Sequence, residues 1–253
     1  MNTLAPSVQE RIADLEAEYD RMSDQGQDTT SITEELSTLV GQAIADAKPF
    51  FRDPQAALET CEELVKQFAS SRDNLDSRMR SFQARDKVTG TIGWALPSRE
   101  ALRAIANVME KYNINSVVDC GCGHALWPAL LAPLAHPTKF TAWDIPMRNP
   151  RHVVSGLAPF MVVTTDVACL SEPKPDCLSF IWPTYDAPWA ARLLDVEKPE
   201  FVLYVGEHPG GCTADDKFHE LLDSGYDVIL FCYIPTWPGI HDRVFMYQKK
   251  PKV

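Results

Sequence analysis

The chain has 253 residues, 45% hydrophobic and 23% charged, a composition that suits one α/β domain carrying a helical extension. Its formal net charge of −11 disfavours non-specific nucleic-acid binding, and no apolar run approaches the ~18 residues that cross a bilayer. Seven cysteines, an odd number with Cys169, Cys177 and Cys232 inside β-branched runs, argue against a secreted disulfide framework; the first residues lack a signal-peptide layout, so a cytoplasmic location is expected.

Residues 1–89 read as an all-helical extension. Ser7 with Glu10 forms a capping box, and Val8, Ile12, Leu15, Tyr19 and Met22 follow as one apolar stripe. Ser31 with Glu34 opens a second helix striped by Ile32, Leu36, Leu39, Ala43 and Ala47. Asp53-Pro54 opens a third, with Leu58, Cys61, Leu64, Val65 and Phe68 on its apolar side, and 71–86 is a charged helix. These stripes need a partner: the following domain, its cleft, or a homodimer formed through the same helices. The basic clusters Arg78, Arg80, Arg85, Lys87 and Arg148, Arg151 read as solvated faces.

From residue 90 to 253 the texture becomes alternating. Ser98 caps a helix whose Leu102, Ile105, Ala106 and Met109 share a face, and SVVDCGCG is a buried strand running into a glycine turn. LWPALLAPL is helical with Pro128 in its first turn. KFTAWDI, PFMVVTTDV, DCLSFIW and EFVLYVGE supply the second to fifth strands. ADDKFHELLDSG is a helix stopped by Gly225, and YDVILFCYIP and DRVFMYQKK close the chain. This order predicts a doubly wound, mostly parallel seven-stranded sheet with an antiparallel C-terminal strand pair at one edge.

The chemistry gathers at the strand tips. Asp119 ends the first strand, and Gly121 and Gly123 let the chain turn tightly and bring backbone to a ligand. The lysine and Ser/Thr of a phosphate loop are missing, and Leu126 stands where a dinucleotide fingerprint needs a small residue, which argues against a nicotinamide reductase. Asp144 closes the second strand, where it can accept two ribose hydroxyls; Asp166 closes the third, where it can accept from an adenine amino group. Three acids on successive tips suit a ligand with donors and positive charge, not a pyrophosphate.

At these residues the chain resembles the class I S-adenosylmethionine (SAM) dependent methyltransferases. VVDCGCGHA looks like their first motif, AWDI their second and VVTTDV their third. The resemblance covers about residues 92–250 and implies that Asp119, Gly121 and Gly123 line the methionine portion, Asp144 the ribose and Asp166 the adenine edge. Ala125 replaces the third glycine of the motif, which a helical backbone at that position would tolerate.

Ile181-Trp182-Pro183-Thr184-Tyr185-Asp186 looks similar to the [DN]-P-P-[YF] motif of amino-methyltransferases. Trp182 replaces the acid or amide and is expected on the cofactor side. Tyr185 keeps the stacking role and Asp186 can supply the hydrogen bond. The loops Gly206–Thr213 and Ile234–Asp242 belong on the same rim. His208 or His241 could serve as general base, Glu207 could bind a cationic acceptor, and Trp237 is a candidate substrate contact. Trp94, ahead of the Ser98 helix, is read as part of a lid over the cofactor or a core anchor, and as a candidate substrate contact. Gly93–Pro97, WPTYD and GEHPGGCTADD together are similar to a set of uncharacterised predicted methyltransferases. Cys120, Cys122 and His124 are spaced too tightly for a zinc knuckle, so no metal is expected. The expectation is methyl transfer from SAM to a nitrogen or oxygen of a small-molecule acceptor. A methyltransferase fold that binds without transferring is the alternative.

Overall fold

The computed structural model describes residues 11, 14–15, 18–19, 21–22, 25–32, 35, 53–69, 89, 93–144, 161, 163–164, 170, 173–237 and 239–251. Capping residues Ser7, Glu10 and Glu34, the stripe positions Val8, Ile12, Leu36, Leu39, Ala43 and Ala47, the helix expected over 71–86, both basic clusters, Asp166 and Cys169 lie outside the described residues. Among those described, Leu15 and Ile32 are buried together with Tyr19 and Met22 packed against them, so the first two stripes cover one another. Arg11 and Glu35 join the same two segments at 2.8 Å.

The described elements are α1 (Pro54–Ala69), α2 (Arg99–Lys111), β1 (Ser116–Cys120), α3 (Leu126–Leu131), β2 (Lys139–Trp143), β3 (Val163–Thr164), β4 (Cys177–Ile181), α4 (Trp189–Glu197), β5 (Phe201–Gly206), α5 (Asp216–Gly225), β6 (Tyr226–Tyr233) and β7 (Arg243–Lys249). They form one sheet ordered β3-β2-β1-β4-β5-β7-β6. β3 to β5 run parallel, while β7 lies antiparallel between β5 and β6. The expected terminal antiparallel pair is therefore at the edge. No described helix is long and apolar enough to cross a membrane.

The two-residue period of the strands splits the core. Val117, Cys177, Leu203 and Val205 face one way and pack with Ala57, Leu58 and Cys61 of α1, Leu102, Ile105 and Met109 of α2, and Leu126 and Leu130 of α3. Val118, Leu178, Val202 and Tyr204 face the other way, against Ala190 and Leu194 of α4 and Phe218 and Leu222 of α5. Helices thus cover both faces of the sheet, as a parallel arrangement needs. Of the partners open to the third stripe, α1 takes the domain itself, reinforced by Arg99 to Glu62 at 2.9 Å.

Ser98 caps α2 by accepting from the Ala101 N–H at 3.2 Å, and Asp215 caps α5 through Phe218. α3 is shorter than its composition suggests: it ends at Leu131, two residues before Pro133, which has no N–H to continue it. The sequence reading has no helix between β4 and β5, yet α4 fills that place. Only three of its residues, Ala190, Ala191 and Leu194, are fully buried, and in nine residues they are too few to register as periodicity.

Candidate active site

Glycine geometry opens the site. The chain leaves β1 through Gly121 at φ +67° and Gly123 at φ +52°, a region that other residues enter at a cost. β2 holds the turn: the Gly121 and Cys122 N–H groups donate to the Trp143 carbonyl at 2.9 and 3.2 Å. The Gly123 N–H donates to Asp144 Oδ2 at 2.8 Å. The acid at the tip of β2 is thereby fixed against the turn, within reach of whatever the turn approaches. Ala125 is not helical but left-handed at φ +58°, as N-cap of α3, a place where glycine would be easier. Trp189 of α4 leans over the turn; a Cβ on Gly121 would stand 2.7 Å from its ring. The buried Trp143 Nε1–H has no hydrogen-bond partner among the described residues.

Asp119 lies inside the sheet, 1% exposed. Parallel register sets it beside Ser179 of β4, whose hydroxyl donates to Oδ1 at 2.8 Å. Burial pushes its carboxyl up to about 7; the Ser179 hydroxyl works against that shift and the nearby Asp144 charge adds to it. Asp119 and Asp144 thus share the neighbourhood of the glycine turn. Asp166, the third acid, lies outside the described residues.

A second cluster forms where β4, β5 and β7 end. Ile181 pairs with Val205 and Gly206 with Arg243, so the next residues, Trp182, Glu207 and Asp242, come out side by side. Trp182 adopts φ +55°, and its N–H donates to the Val205 carbonyl at 2.7 Å. Its indole Nε1–H donates to both oxygens of buried Asp242, at 2.8 and 2.9 Å. Burial pushes Asp242 up to about 7; the Trp182 hydrogen bond opposes this and the Glu207 charge reinforces it. Glu207 Oε2 accepts from the Cys212 N–H and thiol at 2.7 and 2.8 Å, and Oε1 accepts from the His241 N–H at 2.7 Å. Burial works against its charge, but these donors outweigh it and hold the carboxyl below the ordinary glutamate range.

Glu207 therefore ties the β5 loop to the β6–β7 loop. Thr213 ties it to β5, with its hydroxyl 2.7 Å from Tyr204 Oη and accepting from the Glu207 N–H at 2.9 Å. Ala214 and Pro183, and Asp186 and Ala214, join the β5 loop to WPTYD through backbone bonds of 2.9 and 3.0 Å. The segment before α2 closes the group. Trp94 stacks on Trp182 with ring centroids 4.6 Å apart and planes 11° from parallel.

The sequence-predicted residues divide accordingly. Tyr185 and Asp186 are exposed beside Trp182, and His241 is exposed with Nδ1 3.4 Å from Glu207 Oε1. His208, next to Glu207 in the β5 loop, is exposed, its ring 6.4 Å from Phe245. Trp237 is buried and donates to the Trp94 carbonyl at 2.9 Å, so it supports Trp94 from behind. Cys120 and Cys122 Sγ point to backbone carbonyls, and no group of His, Cys, Asp or Glu among the described residues could hold a metal. Sequence reasoning missed Ser179, Trp189 and Asp242 as site residues. Asp242 stood in a loop already singled out, but its partner Trp182 lies 60 positions away.

No protein-family model matches the chain, and no curated protein matches it. Solved structures do. An O-methyltransferase family protein from Burkholderia thailandensis is similar at 12% identity over 92% of this chain and 87% of that one, with a TM-score of 0.42. Human N-acetylserotonin methyltransferase in complex with SAM is similar at 15% identity over 73% of this chain and 59% of that one, TM-score 0.41. A protein of the NADB-Rossmann superfamily from Streptococcus agalactiae is similar at 13% identity over 63% and 72%, TM-score 0.40. These neighbours are methyltransferases and a Rossmann-superfamily protein, and at such overlap the chemistry of this chain has to be argued from its own residues.

Proposed function

We propose that the chain transfers a methyl group from SAM to a nitrogen or oxygen of a small acceptor. The observation that carries this reading is the glycine turn clasped by Asp144 through the Gly123 N–H at 2.8 Å. Left-handed Gly121 and Gly123 leave backbone without side chains at the carboxyl end of β1, next to the crossover between β1 and β4 where such sheets bind ligands. In this reading Asp144 accepts ribose hydroxyls, and the buried Trp143 indole N–H at the end of β2, without a hydrogen-bond partner among the described residues, adds a donor. In this reading Asp119, buried at the end of β1, serves the methionine portion, as the family resemblance implies. The donor set is acidic and indole-rich, which fits a sulfonium nucleoside better than a pyrophosphate.

When bound, SAM supplies a methyl carbon activated by a sulfonium leaving group. The protein's share is alignment and exclusion of water. Trp182, Trp94 and Tyr185 stand on the adjoining part of the rim, where an acceptor would meet that carbon.

Isothermal titration with SAM and S-adenosylhomocysteine tests the reading. We expect both to bind, and Asp144→Asn to weaken each by about tenfold or more, as lost charge-assisted hydrogen bonds would. Absence of binding at millimolar concentration would sink it. One observation favours binding without transfer: the Trp182 N–H, which stands at the acid or amide position of the amino-methyltransferase motif, is already held by Asp242. Cofactor binding without product over a panel of amines and phenols would decide for that alternative.

A further inference from the structure

Trp94 is a large aromatic left 39% exposed at the rim, yet it is firmly placed. Its own carbonyl takes the Trp237 indole N–H at 2.9 Å, and the next carbonyl, of Ala95, takes the Trp127 indole N–H at 3.2 Å. Both donors are buried, so the backbone on which Trp94 rides is pinned from behind. Its ring is pinned again by the stack on Trp182. A fixed, half-exposed indole loses little entropy on binding a partner.

Two acids stand behind this face. Trp182 donates its N–H to both oxygens of Asp242, and Glu207 stands beside Asp242 at the tip of the neighbouring strand. Neither carboxylate reaches an acceptor, because Asp242 and Glu207 are 2% and 5% exposed and their oxygens carry internal donors. They act instead through the rings. An indole that donates to a carboxylate gains electron density on its faces, and the ring quadrupole already attracts cations there. The exposed groups alongside, Tyr185 and Asp186, extend the same combination of aromatic face and negative charge.

We propose that the stacked Trp94–Trp182 pair, backed by Asp242, is the acceptor-binding wall and that it selects a cationic amine. This rests on the methyl-transfer reading and names the acceptor class within it. For transfer the bound ammonium loses one proton to solvent. The freed nitrogen lone pair bonds to the methyl carbon, and the carbon–sulfur bond pair stays on sulfur, leaving a neutral thioether.

The test uses the full chain saturated with S-adenosylhomocysteine, with choline and dimethylbutanol, its uncharged carbon isostere, as probes followed by tryptophan fluorescence and calorimetry. Choline is expected to bind about tenfold more tightly than the isostere. Trp94→Leu, which keeps an apolar residue but removes the π face, should abolish that preference. Asp242→Asn, which still accepts from the Trp182 indole, should cut choline affinity several-fold while leaving the isostere unchanged. A merely structural role for Asp242 would weaken both probes alike. Equal affinity for the two, no binding of either, or a preference that survives Trp94→Leu overturns the proposal. The same titrations report S-adenosylhomocysteine affinity separately, so loss of the cofactor reading is distinguishable from loss of this one.

Discussion

At the scale of single residues, Asp119 illustrates how a binding site costs stability. Its carboxyl is buried in the sheet with one hydroxyl partner and another acid nearby, so it holds its proton up to about pH 7 in the fold but only to about pH 4 when unfolded. The folded chain thus binds the proton more tightly. The stability this contributes is fully present below the unfolded value and is lost as pH rises through about 7. Asp119→Asn should therefore flatten the fall of melting temperature between about pH 4 and pH 7, and should stabilise the protein at the upper end by an amount on the order of a few kcal/mol. Calorimetric melting across that range checks it; a parallel pair of curves contradicts it. Asp119 and Asp144 were legible because each closes an apolar strand and the glycines stand between them. Asp242 was not, because its meaning depends on a neighbour supplied by register across two strands.

At the scale of elements, the turn between β1 and α3 distinguishes two glycines that look equivalent in sequence. Gly121 is both left-handed and closed in by Trp189, whereas Gly123 is left-handed with nothing within 4 Å of a built Cβ. Gly123→Ala should cost only the backbone strain, ~1–2 kcal/mol. Gly121→Ala should cost more, because the Trp189 ring must shift, and should also weaken S-adenosylhomocysteine binding several-fold. Thermal unfolding and titration of the two variants side by side test this ranking. α4, which brings Trp189 to the turn, escaped the sequence reading because a nine-residue helix with three buried apolar residues leaves almost no periodic trace. The long strands and the Ser98 cap were readable, since alternation and capping are local properties.

At the scale of the whole molecule, charge and topology set the limits. With a formal net charge of −11, the chain should not retard duplex DNA or structured RNA in a gel at ~0.15 M salt; a shift at that ionic strength would point to a local basic surface. The alternating strand–helix order made the doubly wound sheet legible, and the helix-free final pair predicted an antiparallel edge. That β7 inserts between β5 and β6 could not be read, because strand order is fixed by which faces pack and not by the run of residues. The same insertion decides when the site can come into being. A nascent chain could shape its glycine turn and Asp144 clasp as soon as β2 has emerged, but the tryptophan wall waits for Asp242 and for the seat that β7 takes between β5 and β6. The two halves of the rim are thus separated in time of assembly by the synthesis of about a hundred residues, with the nucleoside half ready long before the acceptor half.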